Sequence, residues 1–492
     1  MVIVLTPNRF RWVFCQLEAL RYCFPPSVRH MLEKLPETLD ETYERILREI
    51  NKANRDHAHR LLQCLTVAVR PLRIAELAEI LAVDFMMVTH AGTSNLNADW
   101  RWEDQEQAVL STCSSLIAVV DDHGSQIVQF SHYSVKEFLT SSRLACSSAD
   151  VSQFYTQLEP AHTILAKACM GTLLQLGRDD DGPSVQDRFP LANYAATHWA
   201  DHAQFENVAS QIQEEMEILF DQDKPYFSAW LQVDDIDRRP VTNKGLFYFA
   251  EKSNTATPLY YAALCGFQSL AEQLIVQYPQ HVNANGGHCV SPLVVALDRG
   301  HFKVAELLYQ HGANVDVLGW YERTPLYAIS GMGLFETVQW LLSHGADPNV
   351  QDGHPSQVGS TPLHMAAGCG CLEETRILLQ YRANYDARDA GHQTPLHHAA
   401  SEGRPNVARL LLEHDVDVNA QDTTGSTPLH LASGNGTLEV VRLLVEHGAD
   451  IDAEDNNGMT ALQIALAQPE GYHEVIKFLS EHSSKQENVV LS

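Results

Sequence analysis

Basic residues are scarce in this chain of 492 residues, which has 34 lysines and arginines against 62 aspartates and glutamates. The formal net charge is −28, and residues 254–492 contribute −16 of it, from 11 basic and 27 acidic residues. A surface of this sign repels phosphate backbones and anionic lipid headgroups. We therefore expect neither nucleic acid nor a membrane surface as ligand, and we expect a protein partner with basic or polar character.

Long apolar runs and targeting signals are also missing. No stretch approaches the roughly 20 apolar residues needed to span a bilayer, and the apolar start at Met1 is too short for a signal peptide. The ten cysteines are scattered through apolar stretches, which is typical of core thiols in a reducing compartment. Cys369 and Cys371 form the one close pair, but they lie in a Gly-Cys-Gly-Cys turn without further ligands nearby. The sequence predicts a cytoplasmic protein without metal or cofactor.

Motifs that carry catalysis are absent as well. The nucleophile elbow Gly-x-Ser-x-Gly does not occur, and Gly182-Pro-Ser-Val-Gln supplies only its first half. The chain has no phosphate-binding loop of the form Gly-x4-Gly-Lys-Ser/Thr. His198 and His202 are spaced as a metal pair on one helix face, but the glutamate that a zinc peptidase needs beside the first histidine is missing. We predict that the chain is not an enzyme.

What the sequence does contain is a repeat of about 33 residues. Its marker is Thr-Pro-Leu or a close variant, and successive markers are separated by 34, 33, 37, 33, 33 and 33 residues. The seven markers begin at Thr257, Ser291, Thr324, Thr361, Thr394, Thr427 and Thr460. A threonine or serine followed by proline predicts a helix start, since proline at the first helical position sacrifices no hydrogen bond. Each unit is therefore predicted to begin with a capped helix.

The rest of each unit fits a pair of short helices. Alanine pairs such as Ala366-Ala367 follow the marker and allow close packing between neighbouring units. A glycine such as Gly436 predicts the end of the first helix, and the apolar spacing of Val440, Val441, Leu443 and Leu444 predicts the second. These residues resemble the ankyrin repeat, whose signature includes Thr-Pro-Leu-His; the matching histidines are His364, His397 and His430. Units two, three and seven depart from it with Val294, Tyr327 and Gln463.

The resemblance implies an extended solenoid that binds proteins along its turn tips. By register the tips include Gly287-His288, Trp320-Tyr321, Pro355-Ser356, Gly391-His392, Thr423-Thr424 and Asn456-Asn457. From these we select six candidate protein-binding residues: Trp320, Tyr321, His288, His392, Thr423 and Asn457. The aromatic pair is the strongest hot-spot candidate, although it could equally fold back onto its own repeat.

The first 250 residues show a different pattern. Helices are predicted from Pro36 onward, over Ala58 to Val69 and over Ile74 to Leu81, and a hairpin is predicted around Asp121-Asp-His-Gly. Helices followed by a hairpin are the order of a winged helix. The segment after the hairpin, which includes His132, predicts another helix.

Four segments extend the resemblance to fungal NLR-like ankyrin proteins, in which a GPI inositol-deacylase-type winged helix follows a nucleotide-binding NACHT module. They begin at Phe10, Leu35, Arg70 and Phe130, and a stretch from Pro190 resembles the helical spacer that follows. In that family a histidine matching His132 can touch the nucleotide; here packing between hairpin and helix is the favoured role. DNA binding is disfavoured because the segment from Gln105 lacks lysine and arginine.

The sequence thus predicts a mostly α protein with a winged helix, a helical spacer and an ankyrin-repeat solenoid. We expect a remnant or linker helix in 1–35, the winged helix in 36–145, the spacer in 146–252, seven ankyrin repeats in 253–485 and a tail in 486–492. The predicted function is a non-catalytic protein-protein interaction protein, acting as a scaffold. The alternative is the sensor fragment of a NACHT-type signalling NTPase. In that family the nucleotide module comes immediately before the stretch that matches Phe10, and this chain begins only nine residues upstream of Phe10. As part of such an assembly, the protein would self-associate.

Overall fold

The computed structural model of the chain divides into two compact units, Met1–Arg239 and Pro240–Ser492. It describes residues 38–88, 94–96, 104–105, 107, 109–110, 115–177, 188–238, 256–287, 289–318, 323–352, 358–468 and 472–483. Among these residues no helix has the length and apolar character needed to cross a bilayer.

The first two helices in the described part of the first unit are joined by a short turn, and side-chain capping sets the start of the first of them. Helix α1 (Leu39–Glu49) is capped by Thr38, whose hydroxyl accepts from the Glu41 N–H while the Glu41 carboxylate accepts from the Thr38 N–H. A 3-10 turn (Lys52–Asn54) leads into α2 (Arg55–Val67). Helix α2 therefore starts three residues before the predicted Ala58 and ends two before Val69.

The described elements of the winged-helix region include a further helix and two small antiparallel sheets. Its elements are β1 (Leu72–Arg73), α3 (Ile74–Leu81), β2 (Val83–Val88), β3 (Ser94–Leu96), β4 (Ile117–Asp122) and β5 (Ser125–Phe130). Strands β1, β5 and β4 form one sheet in that order, and β2 pairs with β3. The β4–β5 hairpin is confirmed; its turn residues His123 and Gly124 both have positive φ, as a tight two-residue hairpin requires.

A helical segment follows the hairpin and completes the first unit. Its helices are α4 (Tyr133–Leu139), α5 (Ser142–Ala145), α6 (Ala149–Ser152), α7 (Leu158–Leu173), α8 (Ala192–Ala203), α9 (Val208–Gln211), α10 (Gln213–Leu219) and α11 (Tyr226–Val233), with a 3-10 turn at Ile236–Arg238. Its core includes Trp199 and Trp230, whose ring centroids lie 5.5 Å apart in an edge-to-face arrangement. The Trp230 indole N–H donates to the Ala196 carbonyl at 3.1 Å, so the ring is fixed as well as buried.

The helical segment packs directly on the winged-helix region. The Val69 N–H donates to the Tyr194 hydroxyl at 3.2 Å, and the Leu191 N–H donates to the buried Glu79 carboxylate at 2.8 Å. Both contacts join residues more than a hundred positions apart in sequence. The two parts of the first unit therefore share one packed interior.

The described residues of the second unit form a series of seven helix pairs. The first helices are α12 (Pro258–Cys265), α14 (Pro292–Asp298), α16 (Pro325–Ile329), α18 (Pro362–Cys369), α20 (Pro395–Ser401), α22 (Pro428–Asn435) and α24 (Ala461–Leu466). The second helices are α13 (Gln268–Gln277), α15 (Phe302–Gln310), α17 (Phe335–Ser343), α19 (Leu372–Gln380), α21 (Pro405–Leu412), α23 (Leu438–Glu446) and α25 (His473–His482), and a 3-10 turn lies at Pro279–Asn283. Six first helices have proline at their first turn, as the markers predict.

The close packing of neighbouring pairs explains the small residues. Ala366, Ala367, Ala399 and Ala400 are fully buried where first helices of adjacent repeats meet. Gly266 ends α12 in the left-handed conformation with φ 76°, and a Cβ there would lie 2.5 Å from the ring of His301. Glycine is therefore required at position 266 for two reasons, the left-handed backbone conformation and the close approach of the His301 ring from the next repeat. The fold confirms the predicted mostly α class, with its small β-hairpin sheet before the repeat helices.

Candidate protein-binding surface

The inter-repeat turns, which we call fingers, are shaped by aspartates at a fixed repeat position. In the last two fingers, Asp422 accepts from the N–H groups of Thr424 and Ser426, and Asp455 accepts from those of Asn457 and Met459, at 2.8 to 2.9 Å. The hydrogen bond from the Met459 N–H lowers the pKa of Asp455. Burial alone would raise the pKa of Asp422, but hydrogen bonds led by the Thr424 side chain outweigh it and lower the pKa. Both carboxylates are thus held ionised by the turn that they organise.

Adjacent finger tips are joined to each other by backbone hydrogen bonds. The Ala390 N–H donates to the Val358 carbonyl at 2.8 Å, and the Thr423 N–H donates to the Gly391 carbonyl at 2.9 Å. The next bond of this kind links Asn456 to the Thr424 carbonyl at 3.0 Å. Across repeats four to seven the tips therefore form one hydrogen-bonded ladder, a continuous surface rather than separate loops.

The signature histidines anchor each finger to the repeat before it. His364, His397 and His430 are at most 1% exposed. Each accepts through Nδ1 from the N–H of its own capping threonine at 3.1 Å. Each donates through Nε2 to a carbonyl at the end of the next finger, on Gln393, Ser426 and Met459 respectively, at 2.9 to 3.2 Å. One side chain thus closes a helix start and fixes the neighbouring turn.

Repeats one and seven lack the histidine but replace part of this network. In repeat one the Tyr260 hydroxyl accepts from the Cys289 N–H of the next turn at 3.0 Å. In repeat seven the Gln463 side chain accepts from the Thr460 N–H at 3.0 Å, which reproduces the capping contact alone. Val294 of repeat two is buried and has no polar atom for either contact. Replacing the signature histidine therefore changes which hydrogen bonds connect adjacent repeats.

The candidate binding residues fall into two groups. His392, Thr423 and Asn457 are exposed at the tips, and Thr423 and Asn457 donate their backbone N–H groups to neighbouring turn atoms. His288, Trp320 and Tyr321 lie outside the described residues. The structure brings the first three onto the finger ladder; their binding role stays a prediction.

Sequence reasoning overlooked the aspartates that build the fingers. Asp352, Asp389, Asp422 and Asp455 recur at spacings of 37, 33 and 33 residues, matching those of the helix markers. The Asp352 side chain is fully buried and pairs with Arg323 at 3.0 Å. This recurrence is the signal that could have identified them.

One group in the described part of the second unit has donor atoms spaced as for a metal ion. Atoms of His364, Asp389 and His398 all lie within 4.8 Å of one another, and His398 Nε2 lies 2.9 Å from an Asp389 carboxylate oxygen. Both nitrogens of His364 are already engaged, by Thr361 and Gln393. Burial, and next the charge of His398, lowers the pKa of His364 to about 4. These contacts explain the cluster as part of the finger network, and they do not fit a metal centre.

The histidines singled out in the first unit are likewise engaged in structural contacts. His202 is fully buried, with Nδ1 2.9 Å from His162 Nδ1 and Nε2 2.9 Å from the Tyr194 hydroxyl. His198 instead contacts Asp201, at 2.8 Å. His132 caps α4 by accepting from the Ser134 N–H at 3.3 Å, at the junction of hairpin and helix.

Comparison with known sequences agrees with this architecture. The family described as "Ankyrin repeats (3 copies)" matches residues 259–352, 326–422 and 417–489, and the "GPI inositol-deacylase, winged helix domain" matches residues 43–150. A relative named "Azaphilone pigments biosynthesis cluster protein L", from Monascus ruber, is 31% identical over 291 residues. That alignment covers 56% of this chain and 60% of the relative.

Fold, fingers and comparisons together define the class. Residues 259–489 are ankyrin repeats, and residues 43–150 are a winged-helix domain of the GPI inositol-deacylase type. Ankyrin repeats of this kind are protein-interaction modules.

Proposed function

We propose that this protein is a non-catalytic, cytoplasmic scaffold that recognises a protein partner through the finger ladder of its ankyrin repeats. The observation that carries the proposal is the set of backbone hydrogen bonds joining the tips of repeats four to seven. A surface fixed by backbone contacts loses little conformational freedom when a partner binds, which favours affinity.

The chemistry of the ladder supports a partner with basic or polar character. Asp389, Asp422 and Asp455 all have lowered pKa values and stay ionised at neutral pH. The repeat half as a whole carries −16. Attraction between complementary charges would raise the association rate, and this effect would weaken as the salt concentration is raised.

Site-directed variants of the full chain test this proposal. The partner is first captured by chemical cross-linking to the tagged chain in its native cells, and the complex is then rebuilt from purified proteins. Thr423→Arg, on the ladder, should weaken binding by about tenfold or more, and Trp320→Ala should do the same if the predicted hot spot at an earlier finger also contacts the partner. Glu413→Ala, at the exposed C-terminal end of α21, is the control. Melting temperature should stay near that of the parent, since the Thr423 bond to Gly391 uses only the backbone. Equal affinity of parent and both tip variants would contradict the proposal.

A second candidate function is favoured by the winged-helix match. In the NLR-like proteins that the sequence resembles, such a domain couples a nucleotide-binding module to its sensor repeats. If this chain is part of such a receptor, its repeats would sense the ligand and the receptor would self-associate in the presence of ATP. Sequencing the native transcript and measuring ATP-dependent oligomerisation of its product would decide between receptor and stand-alone scaffold.

A further inference from the structure

The outer surface of the second helices changes character along the stack. At one equivalent position the last four repeats have Arg376, Arg409, Arg442 and Lys477, whereas the first three have Glu272, Glu306 and Gln339. Two of these cations pair with acidic neighbours, Arg376 with Glu373 at 3.6 Å and Arg409 with Glu439 at 3.2 Å. That part of the surface is an ordinary solvated, salt-bridged helix face.

Repeats one to three instead form an open groove with apolar walls. The groove has a volume of about 430 Å³ and lies between α13, α15 and α17. Phe302, Leu307 and Trp340 form its apolar walls, and its polar rim consists of Gln268, Lys303, Glu306 and Gln310. Next to it, Tyr309 is 38% exposed. We call this surface the outer groove.

The aromatic wall is held rigidly. The Trp340 indole stacks on His344 with ring centroids 3.9 Å apart, and Tyr309 meets His344 edge-on at 4.7 Å. His344 is fixed in turn by the Trp340 carbonyl at 2.7 Å and by the Glu306 carboxylate at 3.0 Å. An aromatic group fixed in this way can be buried by a ligand at little entropic cost.

Two properties of the outer groove specify what fits it. Its walls are helices whose backbone groups are already bonded within α13, α15 and α17, so an added β-strand would find no partners. A helix satisfies its own backbone and can lay an apolar stripe into such a groove. The acidic side chains on these helices are Glu272, Glu306 and Glu336, against one cation, Lys303.

We propose that the outer groove docks an amphipathic helix of a partner protein, with an apolar stripe flanked by lysine or arginine. The stripe fills the space between Phe302, Leu307 and Trp340, and a flanking cation lies against Glu306 and the exposed ring of Tyr309. This surface is separate in residues from the finger ladder, so it provides a second, independent contact.

Two synthetic peptides of about 18 residues, or five helical turns, test the proposal on the full chain. Both have leucine at helical spacing; one has lysine and the other glutamate at the remaining positions. We expect the lysine peptide to bind by calorimetry with a dissociation constant below about 100 µM, and the glutamate peptide at least about tenfold more weakly. Tyr309→Ala and Trp340→Ala should each lower affinity by about tenfold. Glu306→Gln should cost a few-fold through the lost charge.

The matched control is Tyr381→Ala, because Tyr381 has the same 38% exposure as Tyr309 but follows α19, in repeat four. Tyr309 is the main test because its partial exposure leaves the fold of the Tyr309→Ala variant intact, which circular dichroism checks. Equal loss in Tyr309→Ala and Tyr381→Ala, or lysine-peptide binding unchanged by any groove variant, would overturn the proposal. A dimer in light scattering that Tyr309→Ala dissociates would also overturn it, since the groove would then hold a second copy. The finger variant Thr423→Arg should leave peptide affinity unchanged, which separates this surface from the proposed function.

Discussion

The histidine network predicts a graded response to substitutions at His397. The ring is fully buried, accepts from the Thr394 N–H at 3.1 Å and donates to the Ser426 carbonyl at 3.2 Å. His397→Ala leaves both backbone groups buried without these partners, at about 1–3 kcal/mol each. It also leaves a cavity where the ring was. We expect a loss of about 4 kcal/mol in the local free energy of unfolding.

Glutamine at the same position should cost much less, and the chain itself supplies the reason. In repeat seven the Gln463 side chain accepts from the Thr460 N–H at 3.0 Å, as the histidine does in repeat five. His397→Gln should therefore keep the capping bond and lose only the bond to Ser426, at about 1–2 kcal/mol.

Hydrogen exchange measured by mass spectrometry is the suitable assay. Repeat arrays unfold in parts, so a single midpoint does not define one free energy. Exchange of the amides of Thr394 and of the finger around Ser426 reports their local opening free energies. The reasoning is refuted if glutamine costs as much as alanine, or if alanine costs less than about 1 kcal/mol.

Three further predictions concern strain, an unpaired hydroxyl and pH. Val290 has φ 69° despite its branched side chain, so Val290→Gly should raise the local opening free energy of the turn around Val290 by about 1 kcal/mol, net of the glycine entropy cost, as measured by hydrogen exchange. The Ser433 hydroxyl is fully buried without a hydrogen-bond partner, where the two preceding repeats have alanine; Ser433→Ala should therefore slow exchange in α22 by about 1 kcal/mol, and faster exchange would contradict this. Burial, and next the charge of His398, lowers the pKa of His364 from 6.5 to about 4, so the unfolded chain binds this proton first. Stability should be full above pH 6.5 and should fall by about 3 kcal/mol as pH decreases to 4, and His364→Gln should flatten that dependence in melts across this range.

Features set by neighbouring residues were predictable from the sequence. The Thr-Pro starts of the repeat helices need only a capping hydroxyl and the fixed φ of proline, both encoded within a few residues. The β4–β5 hairpin likewise follows from its own turn, since His123-Gly124 accepts the left-handed conformation.

Features set by distant contacts were not predictable. Helix α2 ends at Val67 rather than Val69, and the Val69 N–H donates to the Tyr194 hydroxyl 125 residues away. His202 was paired by spacing with His198, but its contacts are His162, 40 residues away, and Tyr194. The outer groove joins side chains from three helices whose amphipathic pattern alone predicts only a buried face and a solvated one.

The finger ladder has a consequence for how such a protein can diversify. Its linking bonds, such as Ala390 to Val358 and Thr423 to Gly391, use main-chain atoms that every residue except proline supplies. Non-proline substitutions at tip positions without a positive φ, such as Ala390 and Thr423, therefore keep these linking bonds. Substitutions at these positions can change which partner is recognised, while the histidines and aspartates beneath them keep the backbone of the fingers in place. Recognition and foldability can therefore evolve almost separately.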